Sequence, residues 1–246
     1  MNKSIYLLAA SVAVLAASPA LAQSQDVSMS GITVDYSGDV SGDGDFSGAT
    51  VDVSGSFGGD LEVSGASVEA DVEVGDDLEI SGGAVDIRGS VGGDAEISGG
   101  AIDINLTVAG RSDISGGAID VYSGSVFTGD TEISVGAMDF GGHAMSSLSI
   151  RFGDLDFTGR ADAAVDFEGN NREGIFRRRD RSEIEISGVL NAGGTICAHE
   201  VRFREGAEVN GPLTVHADEE PDYAAGFDAS NISFVMRERE RCRDDD

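Results

Sequence analysis

The chain has 246 residues, with 16 Lys+Arg against 45 Asp+Glu, a formal net charge of −29 and a pI near 4.1. A field of that sign repels nucleic acid and anionic lipid, so neither is an expected partner. Hydrophobic residues at 40% exclude wholesale disorder, and 35 Gly with no Trp point to many tight turns rather than a helical bundle.

Residues 1–22 read as a secretory signal peptide. Lys3 supplies the positive start, Ile5 to Ala17 a short apolar stretch, and Ala20-Leu21-Ala22 a small-x-small cleavage site before Gln23. The apolar stretch is shorter than the ~20 residues of a membrane-spanning helix, so no transmembrane segment is expected in the mature chain. The expected localisation is periplasmic or extracellular, in a bacterium.

From Met29 onward an apolar-Ser pair recurs: Met29-Ser30, Phe46-Ser47, Val63-Ser64, Ile80-Ser81, Ile97-Ser98 and Ile114-Ser115, each seventeen residues after the last. Ile133-Ser134 follows after nineteen, which places two extra residues near Gly124. Within each unit, Val34, Val51, Val68, Val85, Ile102, Ile119 and Met138 form one apolar column, and Tyr36, Val53, Ala70, Ile87, Ile104, Val121 and Phe140 form another. Between them stand Asp35, Asp52, Glu69, Asp86, Asp103, Asp120 and Asp139. This in-out-in alternation is that of a strand with one buried face. Val40, Phe57, Val74, Val91 and Val108 make a third inward column, and Asp45, Glu62, Glu79, Glu96, Asp113 and Glu132 a second polar one. One such unit cannot bury its apolar side chains, but stacked units can. The predicted fold is all-β: a right-handed parallel β-helix (β-solenoid) with ~17-residue rungs.

Regular rungs are expected over 23–140. Between Gly141 and Ser182 the repeat lapses, leaving Leu148-Ser149-Ile150 and Leu155-Asp156-Phe157 as irregular rungs and Arg177, Arg178, Arg179 and Arg181 on a projecting loop. It returns where Ile184-Glu185-Ile186 aligns with Val201-Arg202-Phe203, and Ile196 and Ala198 with Leu213 and Val215. Residues 141–220 thus read as irregular and variant rungs, and 221–246 as a capping strand, Ile232 to Met236, with a charged tail.

The stretch Gly92-Gly93-Asp94-Ala95-Glu96-Ile97-Ser98-Gly99-Gly100-Ala101-Ile102-Asp103-Ile104 resembles the bactofilins, the polymer-forming bacterial cytoskeletal proteins. The likeness lies in rung length, Val/Ile columns and Gly-Asp corners, and covers Met29 to Phe140 and, more loosely, Ile184 to Ala217. It implies a compact triangular β-helix that associates end to end into nucleotide-free filaments. The signal peptide is a departure, because bactofilins act from the cytoplasmic side; the fold analogy carries further than the cellular role.

Stacked carboxylates at rung spacing repel by a fraction of a kcal/mol up to ~1 kcal/mol each. Divalent cations, Ca²⁺ above all, held between Asp52, Glu69, Asp86, Asp103 and Asp120 would relieve that repulsion. A solvated acidic face that opposes lateral sheet association is the simpler reading, because a good calcium site needs about 6–8 convergent oxygens. His199 and His216, seventeen apart and both expected to point outward beside Glu200 and Asp218, are a candidate Zn²⁺ pair, with ordinary surface histidines as the alternative. His143 has no assignable place. Cys197, also expected to face outward, pairs with Cys242 in one reading, and in the others stays free or bridges subunits. The Arg177–Arg181 cluster is either a solvated loop or a contact for an acidic column of another copy or an anionic polysaccharide.

No Gly-x-Ser-x-Gly, His-Glu-x-x-His or phosphate-binding glycine loop is present. No enzymatic activity is expected and no cofactor is required, Ca²⁺ being the one candidate ion. The expected function is that of an exported structural solenoid that self-associates end to end in the cell envelope or on the surface. The alternative is a Ca²⁺-dependent adhesin or a module binding envelope polysaccharide.

Overall fold

The computed structural model describes residues 25–169 and 182–237, and these form one all-β parallel solenoid with 21 strands and no helix. The signal-peptide segment 1–22, the Arg177–Arg181 cluster and Cys242 lie outside the described residues. The first six long strands are β1 (Val27–Ser37), β2 (Gly44–Phe57), β3 (Leu61–Val74), β4 (Leu78–Val91), β5 (Ala95–Val108) and β6 (Ser112–Val121). Each lies parallel on the one before in a seventeen-residue step, as in Val34↔Val51, Val51↔Val68, Val68↔Val85, Val85↔Ile102 and Ile102↔Ile119. The strands bend within themselves. In β3 the buried positions are 61 and 63, then 68, 70, 72 and 74, so the parity flips at Gly65-Ala66 where the chain rounds a corner. Val, Ile and Leu fill the inward sites, where branched side chains pack well on a pleated surface.

The column that begins Val27, Gly44, Leu61 and Leu78 passes through twelve turns to Ile232. Its step lengthens to nineteen at Ser112↔Thr131, where Tyr122 to Ser125 form the turn holding the two extra residues. Contrary to the expected lapse after Gly141, seventeen-residue coiling persists. Thr131 pairs with Leu148, Leu148 with Val165, and Met138 with Leu155. The true interruption is narrower: Val165 pairs with Gly194 and Leu155 with Ile184, steps of 29 that contain residues 170–181.

The rejoined turns also correct the alignment of Ile196 and Ala198 with Leu213 and Val215. Ile184↔Val201 keeps the seventeen-residue step, but Ile196 pairs with Val215 and Gly194 with Leu213, a step of nineteen.

The interior is one continuous hydrophobic core, with Phe46 and Phe57 near the N-terminal end and Phe127, Phe140, Phe157 and Phe167 in the middle. Ser112, fully buried in the column that places Leu78 and Ala95 on earlier turns, has a hydroxyl with no hydrogen-bond partner among the described residues. An unsatisfied buried hydroxyl is destabilising. Ser112→Ala is therefore expected to raise stability by about 1 kcal/mol in urea unfolding.

The two ends differ. At the C-terminal end Tyr223 and Phe227 stack on Phe203 with centroids 5.5 and 4.9 Å away, and Asn231 Nδ2 donates to the Val209 carbonyl at 2.8 Å. The segment after Tyr223 thus lies over the last full turn before Ile232–Met236 adds a strand on Leu213–Ala217. At the N-terminal end β1 pairs only with β2 among the described residues, leaving its other edge unpaired. Met29 there is 38% exposed and Ile32 84%.

Candidate functional site

Three acidic ladders run along the outside of the solenoid. The first contains the predicted Asp52, Glu69, Asp86, Asp103 and Asp120 in direct register, extended below to Asp35 and above to Asp139, Asp156 and Glu185. Sequence reading ended it at Asp139. Arginine appears where it ends: Arg202 pairs with Glu185 across the strands and forms ion pairs with Glu183, Glu185 and Glu200. Lower down, Arg88 Nη2 donates to Asp86 at 2.8 Å and its Nη1 lies 3.9 Å from Glu69.

At two positions of the ladder, burial and neighbouring carboxylates together raise the proton affinity. Burial, then the charges of Asp139 and Asp103, raise the pKa of Asp120 above its ordinary 3.8. Asp156 is raised likewise, by burial and then by Asp139 and Glu185. The folded state therefore binds these protons more tightly than the unfolded chain does. Stability falls as pH rises from 3.8 through the raised value, and the penalty is present in full at neutral pH. Asp120→Asn is expected to raise the melting temperature at pH 7, by the equivalent of about 0.5 kcal/mol, and to lose that advantage on acidification toward the ordinary carboxylate range.

The second ladder is Asp45, Glu62, Glu79, Glu96, Asp113 and Glu132, bounded by Ser28 below and Ser149 above. Arg111 lies 3.4 Å from Glu132, and Arg151 Nη1 donates to Glu132 at 2.8 Å.

The third ladder was not read from the sequence. Asp26, Asp43, Asp60, Asp77 and Asp94 occupy one corner, and each Oδ1 accepts the backbone N–H of the residue seventeen further on, at 2.7–3.2 Å. The signal lies in the sequence as Asp at every seventeenth position, which a reading of Gly-Asp pairs as generic corners passes over. Glycine precedes Asp60 because a Cβ at Gly59 would fall on the Asp43 carboxylate. The second and third ladders flank an open groove of about 790 Å³ that crosses β1 to β6 and ends at Arg111 and Asp113. Among the described residues no three His, Cys, Asp or Glu side chains converge on a point that could hold a metal ion.

Both described His–Asp pairs lie elsewhere. His143 Nε2 is 2.7 Å from Asp162, which also accepts from Arg160 Nε at 2.7 Å and Asn191 Nδ2 at 2.6 Å. These hydrogen bonds, His143's foremost, hold the Asp162 pKa at about 2. His199 Nδ1 is 2.6 Å from Asp218, which accepts from Arg237 Nε at 2.7 Å. Burial opposes the charge on Asp218, but the bonds from Arg237 and His199 outweigh it and lower its pKa. These are polar clasps between successive turns.

The expected stacking of His199 on His216 does not form. The nineteen-residue step places Cys197 opposite His216, while His199 lies beyond the strand and turns to Asp218. Cys197 shares a column with Glu168 and His216, yet it is 2% exposed and disulfide-bonded, so its outward parity does not make it a surface residue. Cys242, the other cysteine of the chain, lies outside the described residues.

No protein-family model, curated protein or solved structure matches the chain. The likeness to bactofilins therefore rests on rung length, Val/Ile columns and Gly-Asp corners alone.

Proposed function

We propose that the protein is an exported, non-enzymatic structural solenoid: an acidic rod of the cell envelope or surface that self-associates end to end. The observation that carries this reading is the division of labour around each turn. Inward columns are predominantly apolar through twelve turns, while carboxylate ladders line the outward faces of the first six strands. Such faces oppose lateral sheet association and leave the uncovered N-terminal end as the contact surface. Among the described residues no helix is long and apolar enough to cross a membrane.

The test is recovery of the protein from fractionated cells. The chain is expected in the envelope or secreted fraction, beginning at Gln23. Residence in the cytoplasm with Met1 retained would overturn export, and turnover of a polysaccharide by the purified protein would overturn the non-enzymatic reading.

A second reading is favoured by the groove between two acidic ladders: a Ca²⁺-dependent adhesin, in which cations bridge the carboxylates to an anionic polysaccharide. Calorimetry of the purified protein with CaCl₂, alone and with an anionic glycan, decides it. Absence of heat in both titrations removes this reading.

A further inference from the structure

We infer that β1 is a self-complementary edge that joins two copies of this chain head to head, in one register, and that assembly stops at the dimer. The inference rests on the proposed export, because cleavage before Gln23 leaves only Gln23 and Ser24 ahead of the described residues. The unpaired edge of a parallel solenoid exposes backbone donors and acceptors, and Pro and inward charge are two devices that usually blunt such an edge. β1 has neither. It shows instead Met29 and, at 84% exposure, Ile32, whose seventeen-residue equivalents are the small Ala49, Ala66, Gly83, Gly100 and Gly117.

Charge also changes at this turn. Ser28 occupies the column that carries Asp45, Glu62, Glu79, Glu96, Asp113 and Glu132 on the six turns above. Two-fold apposition of the ends makes the two β1 strands antiparallel, so position i meets position j of the second copy with i + j constant. In the column register Val27 and Met29 face inward before the corner, and Val34 and Tyr36 after it. The parity flips at Gly31-Ile32, so a pairing along the whole strand matches inward with inward only for an odd sum. The centred choice is 63.

Val27 then meets Tyr36 of the second copy and Met29 meets its Val34, closing both cores. Outside, Ser28 meets Asp35 of the second copy, so the terminal carboxylate of the first ladder faces a hydroxyl rather than another carboxylate. Asp39, whose own two-fold mate lies nearby, is already bound through Oδ1 by the Ser56 hydroxyl of the next turn at 2.6 Å.

Growth does not continue from the other end. Tyr223, Phe227 and Asn231 cover most of the last full turn. The short edge left there, Ile232–Met236 with Val235 and Met236 exposed, leads through Arg237 into nine residues of which eight are charged, and such charge opposes pairing with another copy. One rung is a small contact beside the ~800 Å² per partner of a standard interface, so the dissociation constant is expected to be roughly micromolar.

Association is measured by sedimentation on the chain as recovered, whichever residue it begins with. The N-terminal sequence reads export separately, so failure of export and failure of the edge are distinguishable. A monomer–dimer equilibrium without larger species is expected. Ile32→Asp, at a position too exposed to disturb the core, is expected to weaken it by at least ~tenfold with an unchanged melting temperature of the monomer. Under oxidation the double variant Ser28→Cys/Asp35→Cys is expected to form a covalent dimer, while neither single variant does, because 28 + 28 and 35 + 35 miss the register. A chain that stays monomeric throughout the micromolar range, one that grows into filaments, or cross-linking by Asp35→Cys alone would each overturn the inference.

Discussion

Phe140→Ala is expected to lower stability by about 3–5 kcal/mol. The Phe140 ring is fully buried, lies 5.3 Å from Phe157 at an interplanar angle of 6°, and is 6.2 Å from Phe127. It holds the inward position between Val121 below and Phe157 above. Ordinary core cavities shrink partly by collapse of their surroundings. Collapse is restricted here, because the backbone is tied to both neighbouring turns. The Phe140 carbonyl accepts the Thr158 and Gly159 N–H groups at 2.9 Å, and the Gly141 N–H donates to the Val121 carbonyl at 2.8 Å. In a stacked fold each turn contacts chiefly its neighbours, so the loss is local to the middle of the rod. Urea unfolding of the variant is expected to show a lower midpoint and, when the middle turns fail first, a broadened or two-step transition. Phe140→Leu keeps most of the volume and is expected to cost less than half as much. Equal losses for Leu and Ala would mean that the aromatic stack, rather than the filled volume, governs this turn.

Much of this architecture was legible because the backbone and the side chains repeat together. A residue seventeen positions on is also the residue hydrogen-bonded above, so a column in the sequence is a column in space. The acidic ladder from Asp35 to Asp139 was read correctly for that reason. Where reading failed, the marker had drifted while the fold had not. The apolar-Ser pair ends because Ser134 has Arg151 above it, yet Ile133, Ile150 and Phe167 continue the inward column. The missed nineteen-residue steps have another cause. A shift of two preserves the in-out alternation, so Ile196 suits Leu213 or Val215 equally well by pattern, and only the turn geometry decides. The stacked-histidine expectation failed with that register. The Asp26-to-Asp94 corner was missed for a third reason: its carboxylates serve the backbone of the next turn. Nothing in a hydrophobic alternation marks such a role.

Gly89→Ala is expected to rank with the most damaging single methyl groups among the described residues, costing at least about 3 kcal/mol. Gly89 has φ of +125° and lies between Val72 on the turn below and Leu106 on the turn above. Val72 and Leu106 are both 1% exposed, while Gly55, below Val72, repeats the positive φ at +133°. The column therefore alternates glycine with a large apolar residue, which gives each side chain the space its neighbours leave. A Cβ at Gly89 would lie inside the contact distance of the Val72 carbonyl oxygen, a backbone atom that is itself part of the β-ladder and cannot swing away. Gly226 separates this steric effect from backbone conformation. Its φ is +84°, but a Cβ there meets nothing within 4 Å, so Gly226→Ala should cost only the left-handed penalty of about 1 kcal/mol. Denaturation of the two variants side by side is the check. A Gly89→Ala loss no greater than that of Gly226→Ala would show that successive turns can part by a fraction of an ångström at little cost, contrary to the tight rung spacing on which the packed interior depends.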